Sequence, residues 1–321
     1  MLKKIADVLK KSEKIAIFTH INPDGDALGS SFGMKRVLDS MGKNATVYLG
    51  EEMPQKFSFL GDDYVVVDVN TKIFADTALV VDCATFDRVG VEKSLVENIP
   101  CILCVDHHFS GENYGDFCYK DAESPAAAQI CYELSELLTD EIPLSACEAF
   151  YTGISTDTGH FKFSSVKPKT FYIASKILES GLNHRKITEI LYDTQKFEKL
   201  KFMGKVAEKI ELFADGKIAL LKCPESFLAE YGLTYDDVEE LPNIPLSIEG
   251  VKAAVLVKDK DETKKRVSLR GKDILDLSEV AEKFGGGGHK NAAAFVAEGN
   301  VDKVLDELIL TIKKNLEERN V

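Results

Sequence analysis

A chain of 321 residues, 45% of them hydrophobic, is long enough for about two domains and a sizeable core. Its formal net charge of −13 argues against non-specific binding of long nucleic acid, which needs basic surface, but leaves small anionic substrates open where metal ions supply positive charge. No apolar run approaches the ~20 residues that span a bilayer, and the N-terminus has no cleavable signal pattern, so a cytoplasmic protein without a membrane partner is expected.

In chain order, "MLKKIADVLKKSEKIAIF" reads as a short amphipathic helix feeding a strand. "KIAIFTH", "ATVYLG", "ALVVDC" and "CILCVDHH" are short, β-branched apolar runs of the kind buried in parallel sheets. The helical stretch "DALGSSFGMKRVLDSMG" stands among them and ends at Gly42, a C′ glycine. This alternation predicts an α/β domain over residues 1–190 with a Rossmann-like, mostly parallel sheet. Cys101 and Cys104 form a C-x-x-C inside an apolar run. Without a second such pair they read as core residues, not zinc ligands.

Helical patterns dominate from Pro125 to about Phe213, with residues 191–214 as a helical linker. A smaller α/β domain is expected over 215–321. Its strands are "GKIALLKC", "VKAAVLVKD" and "KKRVSLRG", and its helices "ILDLSEVAEKFG" and "VDKVLDELILTIKKNLEER".

Parallel α/β sheets bind ligands beyond the carboxyl ends of their strands. His20, Asp24 and Asp26 follow the first strand run, Asp82 ends another, and Asp106, His107 and His108 end a third. Asp157 follows a helix, in "GISTDTGHF". Taken singly, each has an ordinary reading: Asp26 as an N-cap, Asn22, Pro23 and Gly25 as turn formers. Together they deliver carboxylates and imidazoles to one sheet edge. That set suits a borderline divalent ion such as manganese and exceeds the needs of one ion. It fits two divalent ions about 3.5–4 Å apart with a bridging carboxylate, an arrangement suited to phosphoester hydrolysis. The start of the helix after "NPDG" is expected to turn its positive dipole towards phosphate.

In the second domain, four glycines, Gly285, Gly286, Gly287 and Gly288, precede His289. Such a run suggests backbone N–H groups approaching an anion, though it lacks the Lys-Ser/Thr ending of a Walker loop. Residues 258–272 hold seven basic and three acidic side chains, and Arg270, at a strand end, is the best phosphate clamp among them.

"HINPDGD", "VVD" at Asp82, "DHH" at 106–108 and "TDTGHF" resemble the motifs of the DHH phosphoesterase superfamily. "VSLRG" and "GGGGHKNAAAF" resemble its associated C-terminal substrate-binding domain. The length resembles the nanoRNase/pAp-phosphatase branch, which includes enzymes acting on cyclic di-AMP and its linear product. The resemblance implies that His20, Asp24 and Asp82 hold one manganese ion. Asp26, His107 and Asp157 would hold a second, with Asp82 bridging. Asp106 would orient an imidazole, and His108 would face substrate as a proton donor or stabiliser of phosphoryl charge. Arg270, the four glycines and His289 would hold the substrate's terminal phosphate or nucleotide. One departure is Ala294, where this branch often has glycine.

The implied activity is hydrolysis of short oligoribonucleotides and linear dinucleotides such as pApA, with pAp and cyclic di-AMP as further substrates and a homodimer allowed. The alternatives are an inorganic pyrophosphatase, a single-strand DNA exonuclease and a non-catalytic nucleotide sensor. The modest basic count near the glycine run disfavours the first. The net charge disfavours the second, which needs a basic groove. The full complement of metal-type residues disfavours the third.

Overall fold

The structure, a computed structural model, describes residues 1–238, 240–272 and 274–319. Its contacts divide it into two units, Met1–Thr194 and Gln195–Val321. The expected end of the second domain, residue 321, lies outside the described residues.

The first unit runs α1 (Leu2–Lys11), β1 (Lys14–Phe18), α2 (Gly25–Ser40), β2 (Asn44–Leu49), β3 (Tyr64–Val66), β4 (Thr77–Val81), α3 (Lys93–Glu97), β5 (Ile102–Asp106) and β6 (Phe117–Lys120). It continues with α4 (Ala127–Leu138), α5 (Leu144–Asp157), α6 (Pro168–Glu179) and α7 (His184–Thr188). The strands order as β3-β2-β1-β4-β5-β6, every pair parallel. The four apolar runs are the central strands. Their residues alternate between two cores, which explains why the runs are continuous. Ile15, Ile17, Leu79 and Val81 pack on one face with Leu28 and Phe32, whereas Ala16, Phe18, Ala78 and Val80 pack on the other with Val89 and Val96. β1 and β4 flank the point where the strand order reverses, the position at which such sheets open a crevice.

Helices α2 and α5 touch backbone to backbone. A Cβ at Gly29 would lie 2.5 Å from the Ala149 carbonyl oxygen and 2.7 Å from the Gly153 nitrogen. Alanine normally favours a helix by about 1 kcal/mol over glycine, but here the clash is with main chain that cannot swing aside. Gly29→Ala is therefore expected to lower stability by about 1–3 kcal/mol, read as a drop in the urea midpoint. An unchanged midpoint would show that the two helices are not held in contact.

The helical stretch after Asn183 is not continuous. α7 runs into one π-helical turn at Glu189–Asp193, the chain leaves the helix at Thr194–Lys196, and a new helix begins. The second unit comprises α8 (Phe197–Glu208), β7 (Glu211–Phe213), β8 (Ile218–Cys223), α9 (Glu225–Ala229), β9 (Ala253–Asp259) and β10 (Lys264–Gly271). It ends with α10 (Leu277–Glu282), β11 (Gly287–His289), β12 (Ala292–Glu298) and α11 (Val301–Glu318). Phe202 and Val206 of α8 are part of this unit's core, with Leu221, Phe227 and Leu256. The sheet order is β11-β12-β10-β9-β8-β7, parallel only at β8–β9. Its other face packs Val255, Val267, Leu269 and Phe295 against α10 and α11. α10 starts three residues later than its apolar run, because Asp276 caps it by accepting hydrogen bonds from the Ser278 and Glu279 amides.

The glycine run is partly a strand: Gly287 and His289 pair with Ala294 and Ala292. A Cβ at Gly286 would sit 2.2 Å from the Ala294 carbonyl oxygen, and one at Gly288 2.5 Å from the Ala292 carbonyl oxygen. Close packing on β12 is thus a reason for two of the four glycines apart from anion binding. Among the described residues no helix is long and apolar enough to cross a membrane.

Candidate metal centre

β1, β4 and β5 end side by side, so the residues just beyond them share one rim of the sheet. Asp82 follows β4 directly and adopts φ +52°, a left-handed conformation costly for a residue with a side chain. The residue is buried, yet its two oxygens face different partners. Oδ2 lies 3.6 Å from His20 Nε2, and Oδ1 lies 3.4 Å from His107 Nε2 and 3.7 Å from His108 Nδ1. His20 Nε2 is also 3.9 Å from Asp24 Oδ1. His107 Nε2 is 3.7 Å from Asp26 Oδ2 and 3.5 Å from Asp157 Oδ2. Two groups result, His20–Asp24–Asp82 and Asp26–His107–Asp157, and a third set joins Asp82 to His107 and His108.

Several features suit this cluster to cations. Asp82 Oδ1 is buried with no hydrogen-bond partner. Separations of 3.4–3.9 Å are too long for hydrogen bonds and close to the spacing of about 3–3.5 Å between ligands sharing an ion at 2.0–2.2 Å. Each candidate imidazole is also pinned through its other nitrogen. His20 Nδ1 donates to the Ile21 carbonyl at 2.8 Å and His107 Nδ1 to the Ser124 carbonyl at 3.3 Å. A carbonyl only accepts, so Nδ1 carries the proton and Nε2 can face a metal bare.

The charges are unbalanced in the same direction. Burial, and then the charges of Asp82 and Asp157, push the Asp26 carboxyl well above its ordinary range. Burial likewise drives Asp157 up to about 6, with Asp82 and Asp24 adding to it against the opposing charge of His107. For His107, burial works to lower the value, but the nearby Asp82 carboxylate and the charges of Asp26 and Asp157 win and raise it to about 10. Asp82 is held low: its burial is outweighed by the nearby His107 and His20 imidazoles. Four carboxylates facing two imidazoles leave net negative charge that a divalent ion would offset.

Two expectations for the helix start change. Asp24, not Asp26, is the N-cap of α2, accepting from the Asp26 and Ala27 amides. Those amides are therefore occupied, and the helix end supports the Asp24 charge instead of facing a phosphate. Asp26 turns inward and accepts from the Ala127 amide at 2.6 Å and the Ala128 amide at 2.8 Å, tying the first turns of α2 and α4 together. Asp106 is fully buried and accepts from His108 Nδ1 at 2.7 Å. His160 stays outside the cluster, with Nδ1 3.2 Å from Ser155 Oγ and its ring against Tyr192. Sequence reasoning missed Lys120, whose ammonium lies 3.1 Å from Asp106 Oδ2. Its only sequence signal was a short strand, β6, too brief and mixed to stand out.

In the second unit, the register aligns Arg270, Ala292 and His289 in one row across β10, β12 and β11. Two strand spacings put the Arg270 and His289 backbones about 10 Å apart. The row beside it, Ser268, Ala294 and Gly287, is a floor of small residues. Arg270 is half-buried, and burial, then the charge of Arg266, lower its value.

Residues 14–154 match the model of the DHH family, N-terminal domain, and residues 215–317 that of the DHHA1 domain. The chain is 29% identical to the bifunctional oligoribonuclease and PAP phosphatase NrnA of Thermus thermophilus, over 98% of this chain and 94% of that protein. It is 25% identical to the protein of the same name in Bacillus subtilis, over 94% and 96%. The crystal structure of an exopolyphosphatase-related protein from Bacteroides fragilis superposes with a TM-score of 0.87 at 25% identity, covering 98% of this chain and 97% of that one. The motifs, the parallel sheet with its acid-and-histidine rim and the pair of domain matches agree: the chain is a phosphoesterase of the DHH family, built from a DHH domain followed by a DHHA1 domain.

Proposed function

We propose that this protein is a two-metal phosphodiesterase that cleaves short oligoribonucleotides and linear dinucleotides such as pApA to mononucleotides. The same site would remove the 3′-phosphate of pAp and open cyclic di-AMP. The observation that carries the reading is Asp82, one buried carboxylate whose two oxygens face separate groups of ligand-type side chains. His20, Asp24 and Asp82 are assigned to one ion and Asp26, His107 and Asp157 to the other, with Asp82 bridging. Manganese suits a mixed carboxylate–imidazole set. When bound, two such ions would supply the activation of a water near neutral pH and would offset phosphoryl charge.

The protein's own groups do the rest. Asp106 fixes the His108 ring through Nδ1, leaving Nε2 to face the phosphoryl group. There His108 donates a hydrogen bond or a proton to the leaving oxygen as the P–O bond breaks. Arg270, Gly285–Gly288 and His289 hold the distal phosphate or nucleotide. The names of the Thermus and Bacillus relatives support this substrate class.

The test is a manganese-supplemented panel of pApA, pAp, cyclic di-AMP, longer RNA, pyrophosphate and single-stranded DNA. Turnover of pApA and pAp well above the last three is expected, and a preference for pyrophosphate would overturn the reading. His108→Ala is expected to cut kcat on pApA by about 10²–10³ while leaving manganese stoichiometry at two, as counted by metal analysis.

A further inference from the structure

We propose that Lys120 is a positioning residue for His108, acting through Asp106. Lys120 ends β6 and is in register with Asp106, the last residue of β5. Its ammonium makes three contacts at 3.1 Å: an ion pair with Asp106 Oδ2 and hydrogen bonds donated to the Ala84 and Ser110 carbonyls. Two of the three ammonium protons go to those carbonyls, and the contact with Asp106 Oδ2 is an ion pair without hydrogen-bond geometry. The partners are well placed. Ala84 lies two residues beyond Asp82, and Ser110 two residues beyond His108. One side chain thus joins the carboxylate behind the histidine to both loops that leave the site.

The packing makes the same point independently. Gly111 has φ +110°, and a Cβ there would sit 2.0 Å from the Ala84 carbonyl oxygen and 2.8 Å from Lys120 Nζ. The loop after His108 therefore lies directly on the loop after Asp82, with Lys120 between them. Asp106 is 0% exposed, and one of its oxygens already accepts from His108. A buried carboxylate bonded at one oxygen only is costly and free to tilt, and any tilt moves the His108 ring with it. The Lys120 charge lies against the second oxygen, which has no hydrogen-bond partner, and balances the carboxylate electrostatically. Consistent with this, Asp106 is held below its ordinary range: burial works to raise it, but the hydrogen bond to His108 and the charge of Lys120 prevail.

The kinetic arm of the test rests on the proposed activity, and a spectroscopic arm does not. Lys120→Met is expected to lower kcat on pApA about 10–100-fold with KM changed by less than about threefold, the usual cost of losing a residue behind an active-site ligand. Lys120→Arg, which keeps the charge, should recover a large part of that loss. In an Asp106→Asn background, Lys120→Met should cost nothing further, because the carboxylate it acts through is gone. In the metal-free chain, the nitrogen-15 signals of His108 should show a protonated, strongly hydrogen-bonded Nδ1 that Lys120→Met weakens.

Folding of each variant is checked by thermal unfolding. If Lys120→Met does not fold, Lys120→Gln runs the same cycle. A folded variant with kcat within about twofold of the unaltered chain overturns the proposal, as does an equal loss in the Asp106→Asn background or an unchanged His108 signal. If the unaltered chain leaves pApA intact, the functional reading falls, and the His108 signal still decides the role of Lys120.

Discussion

Asp82→Asn is expected to lower turnover of pApA by about 10³-fold or more and to reduce bound manganese below two ions per chain. Asparagine keeps the shape and tolerates the left-handed backbone at φ +52°, so the change isolates the charge. The magnitude follows from geometry. Among the described residues of the two groups, Asp82 is the carboxylate whose oxygens face both, so losing it would weaken the hold on both proposed ions, each worth several kcal/mol of transition-state stabilisation. The fold should survive, because the apolar strand residues that position this rim are untouched and one of four crowded carboxylates is relieved of its charge. Kinetics with metal counting checks this, with thermal unfolding in metal-free buffer as the control. An unimpaired rate with a full metal complement would remove the basis for the proposed site.

The second large effect is a linkage between metal and protons. In the metal-free protein His107 is held at about 10 and is therefore protonated at pH 7, and a cation takes Nε2 only as that proton leaves. Asp157, at about 6, gives up a further proton below that pH, and the Asp26 carboxyl, pushed well above its ordinary range, adds to the release. Manganese binding at pH 7 should therefore release at least one proton, and more as the pH falls. Affinity should drop about tenfold per pH unit for each proton displaced.

The sign for stability follows from the same shifts. A histidine raised from 6.5 to about 10 stabilises the metal-free fold fully below its unfolded value, and that contribution is lost as pH rises through 10. A carboxyl raised to about 6 makes the folded state bind protons more tightly between 3.8 and 6, so its effect also weakens the metal-free fold as pH rises through that window. The rise in Tm on adding manganese should therefore grow from pH 6 to pH 9. Titration calorimetry in two buffers of different ionisation enthalpy counts the protons, and equal heats in both would contradict the linkage.

The central strands were legible because a parallel sheet buries both faces, which writes a continuous apolar run into each strand. "IAIF", "ALVV" and "ILCV" all lie in such strands. Elements without that signature were not visible. β12 holds four alanines, poor strand formers, among its seven residues and takes its shape from pairing with β10 and from glycines that let β11 approach. β3 and β6 have three and four residues and sit at the sheet edges, where little burial is written into the pattern.

The motifs divide in the same way. From residue types and spacing alone came the family resemblance, the acid-and-imidazole inventory and its placement at strand ends. Local preference could not say which aspartate caps α2, because Asp24 and Asp26 suit that role equally and only the packing of α4 against α2 turns Asp26 inward. Nor could it show that the two Asp82 oxygens diverge, or that Lys120 reaches Asp106. Those depend on β1, β4, β5 and β6 lying side by side, an order set by how whole faces bury one another and not by any pattern short enough to read along the chain.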